Sequence, residues 1–542
     1  MEHLDVLIIG AGLSGISAAW HLQTSCAGLT YAIVEGREQM GGTWDLFRYP
    51  GIRSDSDMYT LGYRFRPWRQ AKAIADGPSI KAYIEETARE CGIDRAIRYR
   101  HRLVRAEWSS ADARWTVDLE VGADRTPQRL SCGFLYSCAG YYDYAQGYTP
   151  EWPGMSAFTG RVVHPQHWPE DLDYHGMRVV VIGSGATAVT LVPAMAGGDR
   201  AAAHVTMLQR SPSYIASLPS VDVVADALRR WLPSRLAYAL TRWKNVARSM
   251  FYYYIARTRP ALFKKTLRTE AEAQLGPEIP FDEHFSPRYQ PWDERLCMVP
   301  DGDLFVALRE HRASIVTDRI AHFDATGVVL ESGAHLDADL VVAATGLRMS
   351  LLSGVTLVVD GAAVDFATTM IYKGMMLSDV PNMAAAVGYT NASWTLKCDL
   401  IAQHVCRLLN HMRARGYVQV TPRRDPAMQE TPVFDFTSGY VQRAASRLPK
   451  QGDRAPWRLY QNYVKDLLSL RHGRVDDPAL EFTAVVGGSA FKGFKGSSRR
   501  GLQGGVFKEG SSRGLQGVRV VEPGPREDPL NRTYGARPWL MR

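Results

Sequence analysis

Two stretches of the chain repeat one pattern of apolar and polar positions. Asp5-Val-Leu-Ile-Ile9 is an unbroken apolar run of buried-strand type, and it passes through Gly10-Ala-Gly12-Leu-Ser-Gly15 into a helical periodicity over Ile16 to Leu22. Arg178-Val-Val-Val-Ile182 does the same through Gly183-Ser-Gly185-Ala-Thr187-Ala188, followed by an apolar helix through Met195. Strand, glycine turn and helix in that order predict a dinucleotide cradle: a tight turn, a close approach of backbone to pyrophosphate, and close helix–strand packing. A purely structural glycine turn is the competing reading of each. From about 220 to 275 the α/β rhythm gives way to helical periodicity rich in aromatics, including Trp231, Tyr238, Trp243, Phe251 and Tyr254. The expected fold is therefore α/β, with two Rossmann-like dinucleotide-binding domains and a helical insertion.

The residue ending each second strand separates the two cradles chemically. Tyr31 to Val34 ends in Glu35, where a carboxylate can accept from ribose hydroxyls, and an acid there disfavours a 2′-phosphate, so the first site suits FAD. His204 to Leu208 runs instead into Gln209-Arg210-Ser211, which offers a planar fork of donors and a hydroxyl to a phosphate, so the second site suits NADPH. An exposed arginine with no ligand is the plainer alternative. Two dinucleotides in one chain imply electron transfer between them.

Length and composition add limits. At 542 residues the chain exceeds one core, and 46% hydrophobic with 22% charged residues is ordinary for a globular protein. Its seven cysteines are scattered without paired spacing, so neither a metal site nor a disulfide framework is expected, and a reducing cytoplasm fits. The start of the chain does not read as a secretory signal, and no apolar run approaches the ~20 residues of a membrane span. The net charge of +8 is unevenly spread: between Arg229 and Arg268 there is no acidic residue. Such a segment faces either solvent, the favoured reading, or anionic lipid through peripheral contact. No nucleic-acid partner is expected, and the oligomeric state is left open.

Three irregular stretches carry the remaining chemistry. Gly41-Gly42-Thr43-Trp44 leads to Tyr49-Pro-Gly51-Ile-Arg53-Ser-Asp55-Ser-Asp57, a loop suited to lie against a large planar ligand. Phe158-Thr-Gly160-Arg-Val-Val-His164-Pro-Gln-His-Trp168-Pro169 fits FxGxxxHxxxWP. Tyr289-Gln-Pro-Trp-Asp293-Glu294-Arg295 is dense in aromatic and charged residues without a period. From the residues alone, Asp55 reads equally as a loop-capping acid, Phe158 and Trp168 as core, and Arg295 as a surface partner of Asp293.

The second of these stretches is the fingerprint of the Baeyer-Villiger monooxygenases, within the class B flavoprotein monooxygenases, and the first and third resemble those of its ethionamide-activating subgroup. The resemblance covers residues 1–483. It implies that NADPH delivers a hydride to FAD, that O2 adds at the flavin C4a atom, and that the resulting peroxyflavin converts a ketone to an ester or lactone or oxygenates an organosulfur substrate. It implies further that Trp44 packs near the flavin, that Asp55 lies near the ring and the active-site arginine, and that Arg295 is that arginine, a cation that does not lose its proton beside a developing oxyanion. Many members carry a lysine where this chain has Glu294, which departs from the family pattern at an NADP contact. Phe134-Leu-Tyr-Ser-Cys138-Ala-Gly140 and Leu340-Val-Val-Ala-Ala-Thr345-Gly346 resemble the family's crossings between domains, and Gly388 to Leu396 its loop near the flavin ring.

The implied division is 1–150 and 336–483 for FAD, 151–335 for NADP with the insert at about 216–285, and a Gly/Ser/Arg-rich tail at 484–542. The rival enzyme class is an S- or N-oxygenating flavin monooxygenase; a catalytically degenerate flavin-binding protein is a further alternative. A flavin disulfide reductase is disfavoured because no CxxxxC pair follows the first glycine motif.

Overall fold

Apolar strands place the two glycine turns at equivalent points of two separate sheets. In the computed structural model, residues 1–484 are described, apart from Arg295 and Asp435. The first run becomes the strand His3–Ile9, which lies parallel to and between Tyr31–Val34 and Thr126–Ser137. Thr126–Ser137 changes partner midway. Its first half pairs antiparallel with Arg114–Val121, while Leu135 to Ser137 pair parallel with Met383–Ala385. The first sheet thus takes strands from both ends of the described chain.

The second sheet has five strands, all parallel, in the spatial order Ala313–Thr317, His204–Gln209, Arg178–Ile182, Leu340–Ala343 and Arg161–Val163. Helices cover it, so Val179, Val181, Val205, Leu340 and Val342 are fully buried, as the apolar runs require. Both sheets belong to one compact unit, Met1–Val486; Gly487–Arg542, and with it nearly all of the expected tail, lies outside the described residues.

Between the parallel strands Ile215–Leu218 and Cys297–Pro300 the chain forms the helices Val223–Trp231, Ser234–Thr258 and Pro260–Leu275 and the short Phe281–His284. The long helix docks on the first sheet's surroundings through polar groups. Arg242, only 6% exposed, donates from Nη1 to the carbonyls of Tyr59 (2.7 Å), Thr60 (3.3 Å) and Gly62 (2.9 Å), and the Tyr238 hydroxyl donates to the carbonyl of Tyr63. Those carbonyls end a one-turn helix and its following bend, where backbone acceptors have no helical partner, so a forked cation satisfies several at once. No helix among the described residues is long and apolar enough to cross a membrane.

Candidate active site

A cavity of about 1090 Å³ runs from the first glycine turn to Ala186 and Thr187, at the start of the helix after the second, and is closed on a third side by the insert. Of the residues singled out in the sequence, Gly10, Gly12, Glu35, Gly42, Thr43, Trp44, Asp55 and Thr187 line it; Gly15, Gly183, Gly185, Ala188, Arg210 and Ser211 do not. Arg295 lies outside the described residues.

The two turns share one construction. Gly10 (φ +97°) and Gly183 (φ +138°) hold left-handed backbone, each pressed on the carbonyl that follows the neighbouring strand: a Cβ on Gly10 would lie 2.8 Å from the Cys138 oxygen, and one on Gly183 would drive into Ala344. A Cβ on Gly15 would drive into the Gly10 carbonyl, so this glycine serves helix–strand packing. The middle glycines differ. A Cβ on Gly12 would make only ordinary contact with Gly42, and one on Gly185 would meet nothing within 4 Å. Both are helix N-caps without a side-chain cap, leaving backbone N–H groups at a positive helix end for an anion.

Glu35, 7% exposed, sits where the first site meets its second strand. Its two carboxylate oxygens accept from the backbone N–H of Ala11 (2.8 Å) and Arg37 (2.9 Å). Burial raises its pKa, and those two hydrogen bonds oppose the rise. Each oxygen keeps a further lone pair, so the group fixes the glycine turn while facing the cavity as an acceptor. Glu35→Ala removes both anchors at once. The expected result is a protein that sheds FAD on gel filtration and loses about 2 kcal/mol of stability in denaturant titration.

The loop after Trp44 is stapled to the second cradle. Tyr49 is buried against Thr187, and burial pushes its phenol up to about 12 despite that hydrogen bond. A Cβ on Gly51 would crowd Ala194 and the Thr190 carbonyl, and Arg53 forms an ion pair with Asp303, which opens the helix Asp303–Arg309. Asp55 lies between these anchors, exposed to the cavity, with Ser56 at its Oδ1.

Opposite, Tyr141 and Trp394 stack with ring centres 4.9 Å apart, and the Trp394 indole donates to Ser14 Oγ (3.1 Å). Asn391 and Asn245 each carry a buried Oδ1, and Trp292 a buried Nε1, with no hydrogen-bond partner among the described residues, and all three side chains line the cavity. The open space at Gly185, the merely ordinary contact at Gly12 and the uncapped helix ends of both turns fit a pair of dinucleotides. Asn245 escaped sequence reading because it lies in a helical stretch with no motif around it; Asn391 lies inside the loop assigned by resemblance to the flavin ring.

The candidate for the second phosphate contact is on the surface. Arg210 and Ser211 are exposed at the end of His204–Gln209, and Ser184 Oγ donates to the Ser211 carbonyl (3.1 Å), tying this turn to the glycine loop. Burial raises the Glu294 carboxyl's pKa, and the positive charge of Arg210 opposes that rise, so the departure from the family pattern faces the candidate phosphate arginine itself.

The fingerprint residues stand away from the cavity. Phe158 packs edge-on against Phe323, a Cβ on Gly160 would collide with the Asp339 carbonyl, and Trp168 rests on Tyr174 ahead of Pro169. His164 Nδ1 accepts from the Gln166 N–H (3.1 Å) and Nε2 donates to the Gly346 carbonyl (3.1 Å), while burial lowers its pKa. Both ring nitrogens are spent on the backbone. Tyr148 N–H donates to the same Gly346 carbonyl, so the segment leaving the first sheet and the segment returning to it are tied at one point.

Comparison with known proteins accords with this geometry. Residues 8–74 match the NAD(P)-binding Rossmann-like domain, and residues 75–243 match the flavin-binding monooxygenase-like family. The chain is 55% identical over 482 residues to the FAD-containing monooxygenase EthA of Mycobacterium tuberculosis strain ATCC 25618 / H37Rv, covering 89% of this chain and 98% of that one. It is 50% identical over 483 residues to the probable FAD-binding monooxygenase AlmA of Acinetobacter baylyi, covering 89% and 96%. Among solved structures it superposes on an oxidized steroid monooxygenase bound to NADP, with a TM-score of 0.67 at 24% identity, covering 89% and 100%. A cyclohexanone monooxygenase bound to ε-caprolactone gives 0.68 at 18%, covering 89% and 100%. The two superpositions establish the fold; with the sequence relatives, they place the chain in the flavin-binding monooxygenase-like family, as an FAD-containing oxidoreductase with an NAD(P)-binding Rossmann fold.

Proposed function

We propose that this enzyme uses NADPH and O2 to insert one oxygen atom beside a ketone carbonyl, giving an ester or lactone, and that the same site oxygenates sulfur in sulfides or thioamides. The observation that carries the reading is one cavity that reaches from the first glycine turn to Ala186 and Thr187 behind the second, because it gives a nicotinamide and a flavin a common space. FAD, when bound, supplies hydride acceptance and oxygen activation. The chain's residues supply position and charge. Gly12 and the N–H groups behind it hold pyrophosphate, Glu35 faces the ribose, and Trp44 and Trp394 wall the ring. Asp55 and, by resemblance, Arg295 fix the charge beside the reacting carbonyl, and His164 acts through the domain crossing as a positioning residue. Residues 1–150 and 336–483 are assigned to FAD and 151–335 to NADP.

The reading is tested with the purified FAD-loaded enzyme, NADPH and ¹⁸O2 against a panel of ketones and sulfides. One labelled oxygen in an ester is the expected product. Label in sulfoxides alone would assign the enzyme to sulfur oxygenation, and NADPH oxidation that no substrate stimulates would reject both.

Arg210 and Glu294 give the coenzyme prediction. Arg210→Ala removes a charge-assisted contact of about 2 kcal/mol, so the KM for NADPH should rise roughly thirtyfold while that for NADH stays put. Glu294→Gln removes the acid facing that arginine and should lower the KM for NADPH. Equal effects on both coenzymes would remove Arg210 from the phosphate subsite.

A further inference from the structure

The helix Ser234–Thr258 turns mostly polar side chains into the protein and apolar ones outward, where the Trp243 ring still meets Tyr463 edge-on. Tyr238, Thr241, Arg242 and Asn245 turn inward. On the opposite side Leu236, Leu240, Trp243, Ala247, Phe251 and Tyr254 recur every three or four residues and form one exposed stripe along nearly the whole helix. Phe251 is 60% exposed, and on the preceding helix Trp231 is 85% exposed. Arg235 and Arg248 stand about 100° to either side of the stripe, both exposed.

The charge around the stripe has one sign. Arg229, Lys244, Arg257 and Arg268 are neutralised by Asp226, Asp222, Asp293 and Asp282. Arg230, Arg235, Arg248, Arg259, Lys264 and Lys265 form no ion pair with any described residue. A second copy laid on this face would bring cation against cation, whereas an anionic surface complements it. An apolar stripe with basic flanks and peripheral tryptophans is the composition of a helix lying in a membrane interface.

The stripe also leads somewhere. Phe251, Tyr252 and Leu262 are exposed and at the same time line the cavity, so the apolar surface continues through the insert into the candidate active site.

We propose that the insert docks the enzyme on an anionic bilayer, with the stripe of Ser234–Thr258 in the interface, and that the Phe251 end admits a long-chain apolar substrate dissolved in the membrane. The docking stands on the surface alone; the substrate's class, a long-chain ketone or sulfide, rests on the function proposed above.

The test uses the full-length FAD-loaded enzyme and flotation with vesicles of phosphatidylcholine, with or without phosphatidylglycerol. Binding to the anionic vesicles should be at least about tenfold the tighter. L236E/L240E, at positions that do not line the cavity, and R230E/R235E should each lower that binding by about tenfold. Turnover of a short water-soluble ketone should be unchanged in both, while turnover of a long-chain ketone carried in the vesicles falls with binding. Wild-type enzyme that floats with neither vesicle, or variants that float as well as wild type, would overturn the docking. A concentration-dependent dimer dissolved by L236E/L240E would assign the stripe to a second copy instead. If no ketone or sulfide is turned over, the flotation arms still decide the surface while the function reading fails separately.

Discussion

Gly185→Val should give a folded, flavin-loaded protein that NADPH reduces poorly. A Cβ at this position meets no protein atom within 4 Å and the backbone is in the extended region that valine favours, so valine should cost the fold little, yet it fills the space above an uncapped helix end. The KM for NADPH should rise at least about a hundredfold, or roughly 2.7 kcal/mol, with FAD content, melting temperature and bleaching by dithionite unchanged. The equivalent position in the first cradle gives the matching result: the Cβ of Gly12→Val makes ordinary contact with Gly42, and the variant should fold but lose FAD. Gly15→Val serves as the contrast. Its side chain would enter the Gly10 carbonyl, and the overpacking should cost about 3 kcal/mol or more and lower soluble yield and flavin together. Unchanged NADPH kinetics in Gly185→Val would remove the nicotinamide dinucleotide from the second turn.

These glycines also show what is legible in the chain and why. The two strand–turn–helix units can be read because period, turn chemistry and helix start are all local, and each unit repeats the other's logic within a few residues. What the sequence cannot show is how distant groups close on one another. Arg53 meets Asp303 across 250 positions, and Asn245 reaches the cavity only because Arg242, one turn earlier, anchors its helix on carbonyls near residue 60. The basic insert reads as a solvated charge run because the acids that neutralise part of it come from outside it, and because the stripe's exposure depends on which face docks. Glu35 illustrates a middle case: its position is predicted from the strand end, but the two backbone donors it also serves belong to the folded turn.

Arg242→Leu should loosen the insert from the rest of the enzyme. The wild-type guanidinium is buried with its charge spread over three backbone carbonyls, while its Nε has no hydrogen-bond partner among the described residues. Hydrogen bonds from a charged donor contribute more than neutral ones, and leucine leaves the three acceptors facing an apolar side chain. The expected loss is about 3 kcal/mol, against which removal of a buried unpaired cation returns some stability. A stability change alone would not separate this arginine from any buried side chain, so the second readout decides. Arg242 holds the turn that carries Asn245 and Ser249 into the cavity wall. If that wall excludes water from the reacting centre, Arg242→Leu should oxidise more NADPH per product formed, the excess appearing as hydrogen peroxide, at temperatures where the variant is still folded. Arg242→Lys keeps a donor with a shorter reach and should fall between the two. A destabilised variant whose coupling of NADPH to product equals wild type would confine Arg242 to stability and detach the insert from protection of the site.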